Sequence, residues 1–257
     1  MVKSFYVGHH FTSCVLLTEG RSAFSSLKSS IIRVFRSNGI LDFDISLGHY
    51  DKIPGLCFIP SINSLAATCH NDNSIKIIDL QSRKIIKSVP VKQKCYGVTF
   101  RDKDLLILAT ENGIKTLNLT DNSIQPVATR KLSSTPQGIA TFSKNMYYIH
   151  YDDTPFVRWL NEKKVICCDM QGNMEWQSND NLILNEPKAI TVDHEGFIYV
   201  SGYSSNNVVL FKPDGSQLSV LLSDLHDLTG ISFNSSTDQL LLGNESGQAF
   251  LYDVKRN

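Results

Sequence analysis

At 257 residues, with 42% apolar and 19% charged side chains and zero formal net charge, the sequence describes a globular chain with a substantial core, not a disordered one. No apolar run approaches the roughly 18 residues of a membrane span, and the opening MVKSFYVGHHFTSC lacks the continuous apolar stretch of a secretory signal. These features predict a cytoplasmic protein with no membrane association, whose six cysteines stay reduced; none forms a C-x-x-C pair, and neither zinc nor any other cofactor is expected from their spacing.

In chain order, KSFYV (3–7) is a short strand with nothing beside it in sequence to pair with. A grammar of four short strands then begins and repeats. Its first strand starts at Ser13 (SCVLL), Gly55 (GLCFI), Gly97 (GVTF), Gly138 (GIATF), Ala189 (AITVD) and Gly230 (GISFN), at intervals of 42, 42, 41, 51 and 41 residues. Its third strands are IIRVF, IKIIDL, IKTLNL, VICCD, VVLF and AFLYDV, in step with the first. Turns follow the third strands at Asn38-Gly39, Gln81-Ser82, Asp121-Asn122, Gly172-Asn173 and Asp214-Gly215. Small residues at the first-strand anchor suit a chain that passes close to a crowded neighbour.

A period near 41 residues with four strands in each copy predicts an all-β fold, a six-bladed β-propeller with four antiparallel strands per blade. A parallel α/β fold needs helical patterns of 10–15 residues between strands, and the repeats contain none. The blades fall at about 8–47, 48–91, 92–132, 133–183, 184–223 and 224–257, all within one domain. The sixth copy runs out after its third strand at Val254, so residues 3–7 are expected to supply its fourth strand and close the ring.

The fifth copy carries more than generic propeller grammar. Pro187, Ala189-Ile190, Val192-Asp193, Gly196, Ile198-Tyr199-Val200, Asn206, Val208, Phe211 and Asp214-Gly215 fall in an order that resembles the NHL repeat. Such repeats build the six-bladed propellers at the C-termini of tripartite-motif proteins. The Asn-His-Leu triplet itself is absent, with Asn206-Asn207-Val208 and Asn73-Ser74-Ile75 nearest to it. No RING, B-box or coiled coil lies in the sequence, so ligase chemistry does not carry over. The resemblance implies a recognition module, of the kind that serves a ubiquitin-ligase-type protein.

Catalytic constellations are sparse. Six-bladed lactonases gather Glu, Asn and Asp around an axial calcium. The corresponding inner-strand positions here are Val15, Cys57, Thr99, Thr141, Thr191 and Ser232, without a carboxylate. No sialidase Ser-x-Asp box, G-x-S-x-G elbow or phosphate-cradling glycine loop is present. His9-His10 with His49, and Cys69-His70, are read as structural, because no carboxylate stands nearby in sequence to orient them. Cys167 and Cys168 alternate faces of a strand, one inward and one outward. The chain is therefore expected not to be an enzyme and to have no metal site and no small-molecule substrate, a calcium-dependent lactonase-like hydrolase being the remotest alternative.

Binding is expected on the face where blade-to-blade loops and second-to-third-strand loops emerge. Residues 52–135 hold 12 Lys/Arg against 6 Asp/Glu, and residues 136–257 hold 8 against 15. Lys52, Lys92, Lys94, Arg130 and Lys131 fall on blade-to-blade loops with Tyr50 and Tyr96 among them, a pattern suited to single-stranded RNA. The preferred partner is a protein or peptide. The fourth copy is ten residues longer than its neighbours, and DDTPFVRWLNEKK (152–164) predicts a helical turn that places Phe156, Trp159 and Leu160 on one face as an anchor. Tyr203 and Asn206 complete this candidate protein-binding set.

Overall fold

The computed structural model describes residues 3–8, 10–48, 51–127, 138–151, 163–178 and 183–255. Within them β1 (Lys3–Tyr6) comes first, and β2 (Phe11–Leu16), β3 (Ser22–Ser26), β4 (Ile31–Phe35) and β5 (Leu41–Ser46) make the first blade. The second is β6 (Leu56–Ile59), β7 (Ser64–Cys69), β8 (Ser74–Asp79) and β9 (Lys84–Pro90), and the third is β10 (Cys95–Asp102), β11 (Leu105–Thr110), β12 (Gly113–Asn118) and β13 (Ile124–Pro126). The fourth is β14 (Ile139–Phe142), β15 (Asn145–Tyr151), β16 (Lys163–Asp169) and β17 (Met174–Gln177). The fifth is β18 (Pro187–Val192), β19 (Ile198–Gly202), β20 (Asn207–Phe211) and β21 (Gln217–Leu222). Finally β22 (Leu228–Asn234), β23 (Gln239–Asn244) and β24 (Gln248–Asp253) take β1 as their outer strand.

The protein is thus a six-bladed β-propeller, with every blade an antiparallel meander of four strands. Ring closure is the expected one: β1 runs antiparallel to β24, with Lys3 opposite Leu251 and Tyr6 opposite Gln248. Its Phe5 meets Phe24 and Phe35 of the first blade, at ring separations of 6.1 and 5.8 Å. One strand therefore completes the last blade and seals it against the first.

Turn chemistry explains the register after each third strand. Gly39, Asn122, Gly172 and Gly215 take positive φ as their residue types predict, but in the second blade that conformation falls on Arg83. There Asp79 compensates, its carboxylate accepting the Ser82 N–H at 2.6 Å. At the first-strand anchors, a Cβ on Gly55 would lie 3.1 Å from Gly97 Cα, and one on Gly230 would lie 2.9 Å from Cys14 Sγ of the next blade. Small residues are required there because adjacent inner strands converge.

The core is divided into six apolar clusters, each shared by two neighbouring blades. Both faces of every sheet are consequently buried. This corrects the expectation for Cys167 and Cys168: they do point to opposite faces, yet both are buried, Cys167 in the cluster between the fourth and fifth blades and Cys168 in that between the third and fourth. The segment 163–164, expected in a loop, already belongs to β16, where Lys163 pairs with Tyr151. No helix among the described residues is long and apolar enough to cross a membrane.

Candidate binding site at the channel mouth

The six inner strands enclose a channel in three layers. Its waist is formed by Cys14, Leu56, Val98, Ile139, Ile190 and Ile231, one from each blade, all between 4% and 7% exposed. On one side the channel widens to about 590 Å³ past Val15, Cys57, Thr99, Thr141, Thr191 and Ser232. Several of those hydroxyls are already engaged in holding blades together. The Leu16 N–H donates to Ser232 Oγ at 3.1 Å, the Phe233 N–H donates to Thr191 Oγ1 at 3.1 Å, and Thr141 Oγ1 donates to the Phe100 carbonyl at 3.4 Å. No three or more His, Cys, Asp or Glu side chains gather among the described residues in a way that could hold a metal ion.

On the other side, where the blade-to-blade loops emerge, the channel opens into a funnel of about 380 Å³. Its floor is the apolar waist, and above that stand the small anchors from Ser13 to Gly230. Leu27 of the first blade lines it with a side chain that is 37% exposed. Lys52 and His70 come from the second blade, Tyr96 from the third and Lys188 from the fifth. Second and fifth blades stand opposite each other in a ring of six, so cations flank the funnel from two sides. No Asp or Glu lies among its described lining residues.

His70 and Tyr96 pack edge to face with ring centroids 5.3 Å apart. Burial, and then the ammonium groups of Lys94 and Lys52, hold the His70 imidazole below its ordinary range; Asp51 and Glu111 act in the opposite direction without reversing the shift. Lys52 and Lys94 are exposed and form no ion pair among the described residues. Lys188 is partly compensated, 3.9 Å from Glu186, with its ammonium 5.1 Å from the centre of the Tyr203 ring.

The residues expected from sequence separate into three groups. Lys52, Lys94 and Tyr96 converge beside the funnel, and Lys92 lies exposed on the same loop with its φ at 62°. Tyr203 and Asn206 lie in the loop between β19 and β20, where the Tyr203 hydroxyl donates to Glu245 at 2.8 Å and the Asn206 backbone carbonyl accepts the Leu225 N–H at 3.0 Å. Tyr50, Arg130, Lys131, Phe156, Trp159 and Leu160 lie outside the described residues, as do His9 and His49.

Sequence reasoning missed the parts of the funnel that only ring geometry assembles. Lys188 was one lysine in an acidic half, His70 a strand-end residue, and Leu27 unremarked. A further surprise is Lys76, which counts toward the basic surplus but is buried, with its ammonium 2.7 Å from Asp72 and 3.8 Å from the buried Asp51. Asp51 in turn accepts the Asn71 N–H at 2.8 Å. The pair joins the blade-to-blade loop to the second blade and leaves less positive charge for the surface than the composition suggests.

No family model matches the sequence, and no curated protein does. Solved structures do. A gluconolactonase of Xanthomonas campestris is similar with a TM-score of 0.72 at 13% identity, over 96% of this chain and 87% of that one. The Cps50 (Swd1) β-propeller domain of Myceliophteria thermophila is similar with a TM-score of 0.67 at 13% identity, over 99% of this chain and all of that one. At such identity the likeness establishes the β-propeller fold and nothing finer.

Proposed function

We propose that this propeller is a non-catalytic binding module that takes a protein or peptide segment at the funnel on its loop face. The observation that carries this reading is the funnel itself: an apolar floor, an exposed Leu27, and a rim of Lys52, His70, Tyr96 and Lys188. Concave, mostly apolar sites with a few placed polar groups suit ligand side chains. The NHL-like pattern of the fifth blade, and with it a recognition role within a ubiquitin-ligase-type protein, belongs to this proposal. So does the cytoplasmic setting.

The hydrolase reading gains little from the likeness to a gluconolactonase. Positions that would have to present carboxylates to the axis hold Val15, Cys57, Thr99, Thr141, Thr191 and Ser232, and several of their hydroxyls clamp neighbouring blades. Single-stranded RNA is the second reading, favoured by the placement of Lys94 and Lys52 around His70, whose ring packs edge to face with Tyr96.

The test is selection from a displayed random heptapeptide library on the immobilised full chain, repeated with Leu27→Glu. Peptides retained by the native chain and lost on the variant are expected. Equal retention on both, or hydrolysis of glucono-lactone above the spontaneous rate with calcium present, would overturn the proposal.

A further inference from the structure

We propose that the funnel selects an acidic residue of the bound peptide, seating its carboxylate between Lys52 and Lys188 while the neighbouring peptide residue rests on the apolar waist. This inference rests on the peptide-binding reading above and names the chemistry of the occupant.

Charge complementarity is the first ground. Lys52 and Lys188 reach the funnel from opposed blades, and Lys94, outside the lining itself, stands close enough to His70 to act on it. The described lining itself holds no carboxylate, and Glu186, 3.9 Å from Lys188, offsets that one ammonium only in part. Lys52 and Lys94 form no ion pair among the described residues, so their charges are available to a guest. After burial, which is the larger cause, Lys94 and Lys52 add to the lowering of the His70 proton affinity. An entering carboxylate would offset their share.

Size is the second ground. At about 380 Å³ the funnel sits near the small end of the roughly 300–1,000 Å³ typical of ligand sites. That volume takes one or two side chains and excludes a folded element.

Charge beyond the rim argues for a peptide over a nucleic acid. The loop entering the sixth blade carries exposed Asp224 and Asp227, and Glu245 joins Tyr203 beside it. A phosphate backbone needs a continuous row of cations, and one leaving the funnel on this side would meet three carboxylates. A peptide needs only a single anion in the funnel, and a basic residue further along would complement Asp224, Asp227 and Glu245.

The experiment uses the full chain and the same random heptapeptide library, selected on the native chain alone, and each enriched peptide is then measured on a Lys52→Glu, Lys188→Ser variant whose melting temperature is measured first. Enriched peptides should carry Asp or Glu. Their binding by calorimetry should weaken at least tenfold on the variant and on changing the peptide's Glu to Gln. Native peptides should also raise the His70 pKa read by NMR, whereas Gln peptides should not. Lys52→Ser alone serves as a milder probe if the double variant is destabilised. Enriched peptides that show no acidic preference and bind native and variant chains equally would overturn this inference and leave the peptide-binding reading intact. Failure to enrich any peptide would overturn both. Tighter, steeply salt-dependent binding of an oligouridylate that displaces the peptides would overturn it in favour of RNA.

Discussion

Removing one ring from the closing strand tests the architecture most directly. Phe5 lies on β1, outermost in the sixth blade, yet its ring packs against Phe24 and Phe35 of the first blade. It also lies where a Cβ on Gly39, whose φ is 82°, would come within 2.9 Å. Truncating a fully buried Phe to Ala costs about 3–5 kcal/mol. Phe5 is only half-buried, so Phe5→Ala should cost about 2–3 kcal/mol, or about 4–12 °C of melting temperature for a chain of this size. Ser4→Ala, on the exposed side of the same strand, should shift it by less than about 1 °C. Deleting residues 1–7 should do more than either. It strips the hydrogen-bonded partner from β24 and leaves a free sheet edge, so elution from a sizing column should move toward oligomers. Circular dichroism melts of the three variants give the comparison. If Phe5→Ala moves the transition no further than Ser4→Ala, β1 does not seal the ring and the closure argument is wrong.

Other predictions test separate parts of the fold. Gly215→Ala should destabilise the chain by about 2 kcal/mol or more and alter tryptophan fluorescence: its φ is 83°, and the added Cβ would fall 2.4 Å from the Trp176 ring that stacks on Phe211. Lys76→Met should cost about 3 kcal/mol by chemical denaturation, because it strands the buried Asp51; adding Asp51→Leu should restore part of the loss. The thiols of Cys57, Cys69, Cys95, Cys167 and Cys168, pushed up to about 12 by burial, should resist a thiol reagent at pH 8 until denaturant is added. His70 contributes a pH dependence of defined sign. Its folded pKa lies below 6.5, so the unfolded chain takes up the proton first; the stability it confers is complete above 6.5 and falls as pH drops from there through the folded pKa. His70→Asn should flatten that part of the stability profile, and an unchanged slope would contradict first the burial of His70 and then the placement of Lys94 and Lys52 around it.

Most of the fold was legible because a propeller repeats one local solution. Anchor spacing, short strands and Asn/Asp/Gly turns are short-range signals, and the close approach at Gly55 and Gly230 is why the anchors had to be small. Where a signal was absent the pattern still held, as at Arg83, since the Asp79 carboxylate and the β8–β9 pairing fix that turn without a glycine. The site was only half legible. Lys52, Lys94 and Tyr96 could be placed on the face where the funnel opens, since loop position alone determines it. Loop position puts His70 and Lys188 on that face as well, but that Lys188 shares one funnel with Lys52 and His70 was hidden, because blades two and five face each other across the axis only when the ring closes. Burial of Lys76 was equally hidden, for its partners Asp51 and Asp72 both precede it in sequence without declaring which of the three faces water.

The same geometry explains how a chain with zero net charge acquires a polarised face. In a β-propeller, position along the sequence becomes angle around the axis, so the basic surplus of residues 52–135 and the acidic surplus of 136–257 become opposing sectors instead of cancelling. A Greek-key sandwich would interleave the two halves and erase the difference. The funnel obeys a different rule, because its waist and anchor layers take one residue from every blade and its rim draws side chains from blades on opposite sides of the axis. Lys188 therefore lends a positive charge to the mouth from within the acidic sector, and the sign of the funnel is independent of the sign of the sector beside it. A guest that satisfies both must be anionic at the axis and cationic toward the sixth blade, which a short peptide can be and a uniform polyanion cannot.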